Sequence, residues 1–305
     1  MPANPLSPFG SEATRRAEIR YPVPPAACDC HMHVFGPPDR YPGISGHSYA
    51  PREAPLSAWR SMADCSSLQR VVVVQPSCYG TDNACLVAVL HELGGCARGV
   101  AVIAVATPPS ALQALHDAGV RGVRLNAKSI GNRDAAGLRR LMLATAEQVA
   151  PLGWHVQVYA DLAVLAQVTD SIRAAAAPIV LDHMGGASAA DGAEALRPLL
   201  GLLSDGCCWV KLSGAYRVSQ RASDFSDATP IARMLIQANP RRVVWGSDWP
   251  HTGLHASRPQ QGTVPTIAFR DLDDSMLVDL LAEQAGDPAT FRRILVDNPG
   301  RLYGF

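Results

Sequence analysis

Residues 71–75 read VVVVQ, an unbroken β-branched run closed by a polar residue. A strand with one wet face alternates apolar and polar residues. A strand buried on both faces, as in a parallel sheet covered by helices, reads as continuously apolar. Working outward, similar short runs recur at CDCHMH (28–33), VAVIAV (100–105), GVRLN (122–126), WHVQVY (154–159), PIVLDH (178–183), CWVKLS (208–213) and VVWGSD (243–248). Between them lie amphipathic segments. In 84–95, Leu86, Val89, Leu90 and Leu93 follow the helical stripe, and in 134–152 Leu138, Leu141, Met142, Thr145 and Val149 do the same. Asp134 and Asp161 stand where helix caps belong, the latter opening a helix with Leu162, Leu165, Val168 and Ile172 inward. Thr229-Pro230 and Asp287-Pro288 each place a capping side chain before a proline at the first helical position. Gly119 and Gly206 sit at helix C-caps.

Eight βα units predict one closed α/β barrel, a single (β/α)8 TIM barrel, over residues 27–305. Residues 1–26, rich in proline and polar side chains, read as an irregular arm. Two long connections, 34–70 after the first strand and 249–272 after the last, read as extra loops over one barrel end.

With 48% hydrophobic and 18% charged residues the chain has the composition of a soluble globular protein. Lys plus Arg and Asp plus Glu both number 27, so nothing in the charge suggests a nucleic-acid or membrane-surface partner. The N-terminus lacks the apolar core of a secretory signal, and the run GVAVIAVA is far short of a membrane span. None of the 8 cysteines lies in a CxxC pair, and several sit in apolar runs; they read as reduced thiols of a cytoplasmic protein.

In such a barrel the active site lies at the C-terminal strand ends. The first strand ends in His31-Met32-His33, whose imidazoles at i and i+2 point to one side. The sixth ends in Asp182-His183 and the eighth in Ser247-Asp248. His31, His33, His183 and Asp248 therefore converge from three strand ends. Each alone reads as an ordinary polar strand-end residue; their joint placement points to catalysis. Imidazole and carboxylate are ligands zinc accepts, and equally serve as acid, base and oxyanion partners without a metal. The nucleophile elbow GxSxG, HExxH, GxGxxG and the phosphate-binding GxxxxGK[ST] are all missing.

The segments DCHMHVFGP, VVVVQPSCYGTDN, GVRGVRLN, IVLDHMGG, VKLSGAYRVS and VVWGSDWPHT, in this order, resemble the amidohydrolase superfamily. More narrowly they resemble its lactonase branch, which acts on pyrone dicarboxylates, sulfomuconolactones and sugar lactones. The resemblance implies lactone hydrolysis in aromatic-compound catabolism, with Asp248 as the catalytic carboxylate, His31 and His33 as the HxH pair and His183 as the strand-six histidine. Metal-rich members carry a Lys or Glu at strand four and a His at strand five. Here those ends are Arg124-Leu125-Asn126 and Val158-Tyr159, and His155 lies at the wrong end of its strand. The expectation is no cofactor or one divalent cation, zinc by ligand type, on some of His31, His33, His183 and Asp248, and not a binuclear site.

Arg124, Arg133 and Arg217 are placed near the barrel mouth, with Tyr49, Ser77, Tyr159 and His251 beside them as substrate-binding candidates. Arginine forks match carboxylates and sulfonates, so the expected partner is a small anionic lactone. The bland reading is that loop arginines are solvated or paired with carboxylates. Two alternatives stay open: a metal-dependent decarboxylase of an aromatic or unsaturated acid, and a non-catalytic ligand-binding barrel.

Overall fold

The computed structural model describes residues 19–44, 50–128, 131, 133–221, 224–253 and 266–305. Eight strands form one sheet in chain order: β1 Cys28–Met32, β2 Arg70–Val74, β3 Ala97–Ala101, β4 Val120–Asn126, β5 His155–Tyr159, β6 Ile179–Leu181, β7 Cys208–Ser213 and β8 Val243–Gly246. Every neighbouring pair is parallel. The sheet closes on itself past the end of β8, where Asp248 N–H donates to the His31 carbonyl at 2.8 Å and His33 N–H to the Trp249 carbonyl at 2.9 Å. The molecule is the (β/α)8 barrel the sequence predicts.

The β-branched runs are buried on both faces, as their composition requires. Val72, Val74, Val100, Val180 and Val244 fill the barrel interior with Cys28, Cys30 and Trp209. Val71, Val73, Val123, Val156 and Val158 face the helical layer. That layer includes Leu56–Cys65, Ala84–Leu93, Pro109–Asp117, Ala135–Val149, Ala193–Ser204, Thr229–Ala238 and Asp274–Ala285. Removing a valine side chain from water is worth roughly 1.5–3 kcal/mol, so both patterns of apolar residue are needed to hold the barrel. Tyr303, near the C-terminus, joins the interior cluster at the N-terminal end of the strands and packs edge-on against His155 at 5.2 Å.

Several local expectations shift. The third strand is Ala97–Ala101, not 100–105; the apolar run continues past the strand into a turn where Val105 is 60% exposed. The sixth strand stops at Leu181, so Asp182 and His183 lie beyond it. The helix opened by Asp161 breaks into Leu162–Leu165 and Thr169–Ala174. Asp287 caps as expected, accepting from Ala289 and Thr290 N–H. Thr229 does not: the 3-10 turn Ser226–Ala228 leads straight into its helix, and Thr229 is already helical. Neither Asp134 nor Asp161 makes a side-chain capping bond.

The two long loops meet at the C-terminal end of the barrel. Ala50–Pro51 pairs in parallel with Thr266–Ile267, and Phe35 stacks on Phe269 at 5.7 Å. Residues 19–26 form neither helix nor strand, and Arg20 bonds Asp279 through its backbone N–H and Nε. Among the described residues no helix is long and apolar enough to cross a membrane.

Candidate active site

His31, His33, His183 and Asp248 come together at the C-terminal end of the barrel, each at most 5% exposed. His31 Nε2 lies 3.6 Å and His33 Nε2 3.7 Å from Asp248 Oδ1. The His31 ring is 5.0 Å from that of His33 and 4.9 Å from that of His183. His31 lies in β1 and His33 one residue past its end, so the i, i+2 spacing still brings both imidazoles to the same side. Asp248 reaches the cluster from a left-handed backbone at φ 62°, and His183 and Met184 share that region at φ 49° and 55°. For non-glycine residues this costs roughly 1–3 kcal/mol each and persists only where surrounding bonds enforce it. The Gly185-Gly186 pair that follows makes the turn feasible: a Cβ on Gly186 would stand 2.0 Å from the Ala160 carbonyl oxygen. Gly214 leaves similar room, since a Cβ there would stand 2.9 Å from His183 Nδ1 and 3.0 Å from Asp248 Oδ2.

Hydrogen bonds assign the polar roles. His33 Nδ1 lies 2.8 Å from the Val74 carbonyl, which can only accept, so Nδ1 carries the proton and the neutral ring turns an Nε2 lone pair toward Asp248. His183 Nδ1 meets Ser213 Oγ at 3.0 Å. Asp248 Oδ2 accepts from Arg217 Nε at 2.6 Å and from the Tyr216 hydroxyl at 2.7 Å. Among the described residues its Oδ1 has no hydrogen-bond partner. Burial works to raise the Asp248 carboxyl, but Arg217 and the neighbouring imidazoles hold it well below the usual carboxylate value. Burial depresses His31 and His33, and takes His183 down to about 4 against the pull of Asp248. At neutral pH the cluster is one carboxylate facing uncharged imidazoles.

A second, deeper network supports it, and the sequence reading gave no role to Gln157 or Lys211 and did not pair Arg124 with Asp182. Asp182 Oδ2 accepts from Arg124 Nε at 3.1 Å and from Gln157 Nε2 at 2.9 Å. Its Oδ1 is 3.4 Å from His31 Nδ1 and 3.9 Å from Lys211 Nζ. Lys211, fully buried in β7, donates to the Cys30 carbonyl at 2.8 Å and to Gln157 Oε1 at 2.7 Å. The available signal was a lysine in the apolar run CWVKLS, since a fully buried lysine is rare unless paired.

The substrate-binding candidates divide. Tyr159 packs edge-on to His183 at 4.6 Å, with the Arg124 guanidinium 5.7 Å from its ring centre. Arg217 joins the cluster directly and also donates to Thr252 Oγ1 at 2.8 Å. His251 turns its Nε2 to Asp274 Oδ1 at 3.0 Å and its ring edge-on to Tyr216. Ser77, itself half-buried, begins a 3-10 turn after β2. Arg133 is 84% exposed, its Nε 3.5 Å from Asp161. Tyr49 lies outside the described residues. Two further cations border the tyrosines: Lys128 Nζ is 5.7 Å from the Tyr159 ring centre and the Arg270 guanidinium 5.1 Å from that of Tyr216.

The donor set suits one metal ion. His31, His33 and Asp248 each offer a ligand atom within 4.8 Å of the others. Two ligands of a tetrahedral zinc lie about 3.3 Å apart, near the 3.6 and 3.7 Å separations present. His31 Nε2 and Asp248 Oδ1 have no hydrogen-bond partner among the described residues, and the His33 Nδ1 bond to a carbonyl orients a ligating imidazole in the usual way. His31, Asp182 and His183 form a second triad, but Asp182 is already opposed by Arg124 and Lys211.

The amidohydrolase family profile matches residues 28–305. The chain is 32% identical to a 2-pyrone-4,6-dicarboxylate hydrolase of Comamonas testosteroni, over 93% of this chain and 92% of that one. It is 31% identical to a 4-sulfomuconolactone hydrolase of Rhizobium radiobacter, over 98% and 97%. A solved structure from Acinetobacter baumannii superposes with a TM-score of 0.73 at 26% identity, covering 92% of this chain and 100% of that one. It is described as a "probable 2-pyrone-4,6-dicarboxylic acid hydrolase" with citric acid bound.

Proposed function

This chain belongs to the amidohydrolase family, and from that premise we propose that it hydrolyses a lactone ring bearing a carboxylate or sulfonate. The observation that carries the reading is the state of Asp248: Oδ2 is fixed by Arg217 and Tyr216, while Oδ1 faces His31 and His33 without a hydrogen-bond partner among the described residues. An ionised oxygen so held is placed to take a proton from water. The water oxygen then bonds to the lactone carbonyl carbon, and the carbonyl electron pair moves onto oxygen. As the tetrahedral intermediate collapses, the bond to the ring oxygen breaks, and the proton on Asp248 passes to that leaving oxygen. The product is an open hydroxy acid or its tautomer, and Asp248 is again a carboxylate. His31 and His183 would line the place where the carbonyl oxygen gathers charge, while His33, whose Nε2 presents a lone pair, suits a cation rather than an oxyanion. A divalent cation held by His31, His33 and Asp248 would supply Lewis-acid polarisation of the carbonyl and a more acidic water.

Arg124 and Arg217 would orient the acid group, with Ser77, Tyr159, Arg133 and His251 completing the mouth. The names of the relatives, which act on acidic lactones, and the tricarboxylic acid bound to one of them support this choice of substrate class. The test is a panel of acidic and neutral lactones offered to protein of measured metal content, with and without chelator. Ring opening of acidic lactones without carbon dioxide release is expected. Carbon dioxide release from an unsaturated acid with no lactone opened would favour a decarboxylase, and tight binding without turnover would favour a non-catalytic barrel.

A further inference from the structure

Between β1 and β8, where the barrel must close, a side-chain carboxylate stands in for the strand ladder. Asp29 lies in β1 and is fully buried. Its Oδ1 accepts the backbone N–H of Ser247 at 2.9 Å and that of His31 at 3.0 Å. Its Oδ2 accepts the Ser247 hydroxyl at 2.6 Å and Trp59 Nε1 at 3.4 Å. The other neighbouring strands are joined by paired backbone ladders, whereas the direct backbone bonds at this seam lie beyond the end of β8. Ser247 Oγ in turn accepts the N–H of Trp249 at 3.0 Å. Asp29 thus holds the residue before Asp248 directly and the residue after it through one hydroxyl.

We propose that Asp29 is a positioning residue that fixes the separation of His31 and Asp248 by clamping the barrel seam. It makes no contact with substrate. One end of the clamp is the amide of His31, and the other is the residue preceding Asp248. The left-handed backbone of Asp248, at φ 62°, is then enforced by the bonds of its two neighbours. A carboxylate suits the task because four donors need four lone pairs, which an ionised Asp provides. Asparagine keeps one acceptor oxygen for the two backbone donors, and the Ser247 hydroxyl can reverse to accept from its amide; only the long contact from Trp59 Nε1 loses its acceptor. Leucine offers nothing to any of the four donors.

The kinetic consequence rests on the lactone-hydrolase reading, so the test has an arm that does not. Amide exchange is followed by mass spectrometry in wild type, Asp29→Leu, Asp29→Asn and Ser247→Ala, alongside kcat and KM on an acidic lactone. Asp29→Leu is expected to speed exchange in residues 243–250 while residues 155–160 keep their protection. It should lower kcat by about 10²-fold, the scale of a misplacement near 1 Å, with KM within about threefold. Asp29→Asn should recover most of the rate and the protection, and Ser247→Ala should move both in the same direction as leucine by less. Wild-type exchange at 243–250 in the leucine variant, exchange raised equally in all strands, or an asparagine variant no better than leucine would overturn the clamp. Seam exchange that shifts as expected in a protein whose wild type opens no lactone would uphold the clamp and remove the lactonase reading.

Discussion

Arg217 donates through Nε to the Asp248 carboxylate at 2.6 Å. An arginine expected from the sequence to grip substrate is therefore also a strut of the proposed base. The two roles separate in kinetics.

Arg217→Met should lower kcat on acidic and neutral lactones alike, because Asp248 loses a buried, charge-assisted partner. Arg124→Met removes a donor from buried Asp182 beside His31, so it too should lower kcat on both lactones, and should in addition weaken binding of the acidic one by about 2–5 kcal/mol, the scale for truncating one side of a buried charged pair. Steady-state kinetics on one acidic and one neutral lactone decide this. An Arg217→Met variant with unchanged kcat on the neutral lactone would leave that arginine with substrate alone.

The metal prediction follows from the sharing of His31 by both candidate triads. Two ions would need both ring nitrogens of His31 as ligands, with Asp182 still opposed by Arg124 and Lys211. Elemental analysis of purified protein should therefore find at most one divalent ion per chain. Two in stoichiometric amount would contradict the assignment.

His155 carries a stability prediction separate from the chemistry. It is buried beside Tyr303, and burial takes its pKa down to about 3. The unfolded value is about 6.5, so on acidification the unfolded chain takes up the proton first. The contribution of His155 is full above about pH 6.5, falls as pH drops toward 3, and is then exhausted. Urea titrations across that range should lose about 1.4 kcal/mol per pH unit from this group. His155→Gln should flatten the slope by that amount; identical slopes would show that the imidazole is solvated or paired.

The barrel and the cluster were legible because each depends on local pattern. Continuous β-branched runs such as VVVVQ mark strands buried on both faces, and the HxH spacing fixes two imidazoles on one side of a strand. Chain order alone then carries Asp248 and His183 to the same barrel end. The strand limits were less legible: in VAVIAV the apolar run outlasts the ladder, and Val105 ends in solvent. The supporting network was not legible at all. Asp182, Gln157 and Lys211 acquire meaning only through partners on other strands, which barrel closure sets and sequence spacing does not. The left-handed turn at His183–Gly186 was missed for a related reason, since Gly185 is required by the approach of Leu199 and Gly186 by that of the Ala160 carbonyl, just past the neighbouring strand.

The central claim is that Asp248 moves the proton in lactone hydrolysis. Asp248→Asn keeps the shape and can still accept from Arg217 and Tyr216, but cannot take a proton from water. General-base catalysis is worth roughly 10²–10⁴-fold, so kcat should fall by about that factor in a folded variant while KM changes little. In wild type, against the cost of burial, Arg217 holds the Asp248 carboxyl well below its usual value, so Asp248 stays ionised in mild acid and its own protonation should not be what limits activity there. The direct measurement is kcat of Asp248→Asn on an acidic lactone, with folding checked by circular dichroism. A loss of about 10²-fold or more is the result this account predicts; hydrolysis within about threefold of wild type would contradict it and turn attention to His183.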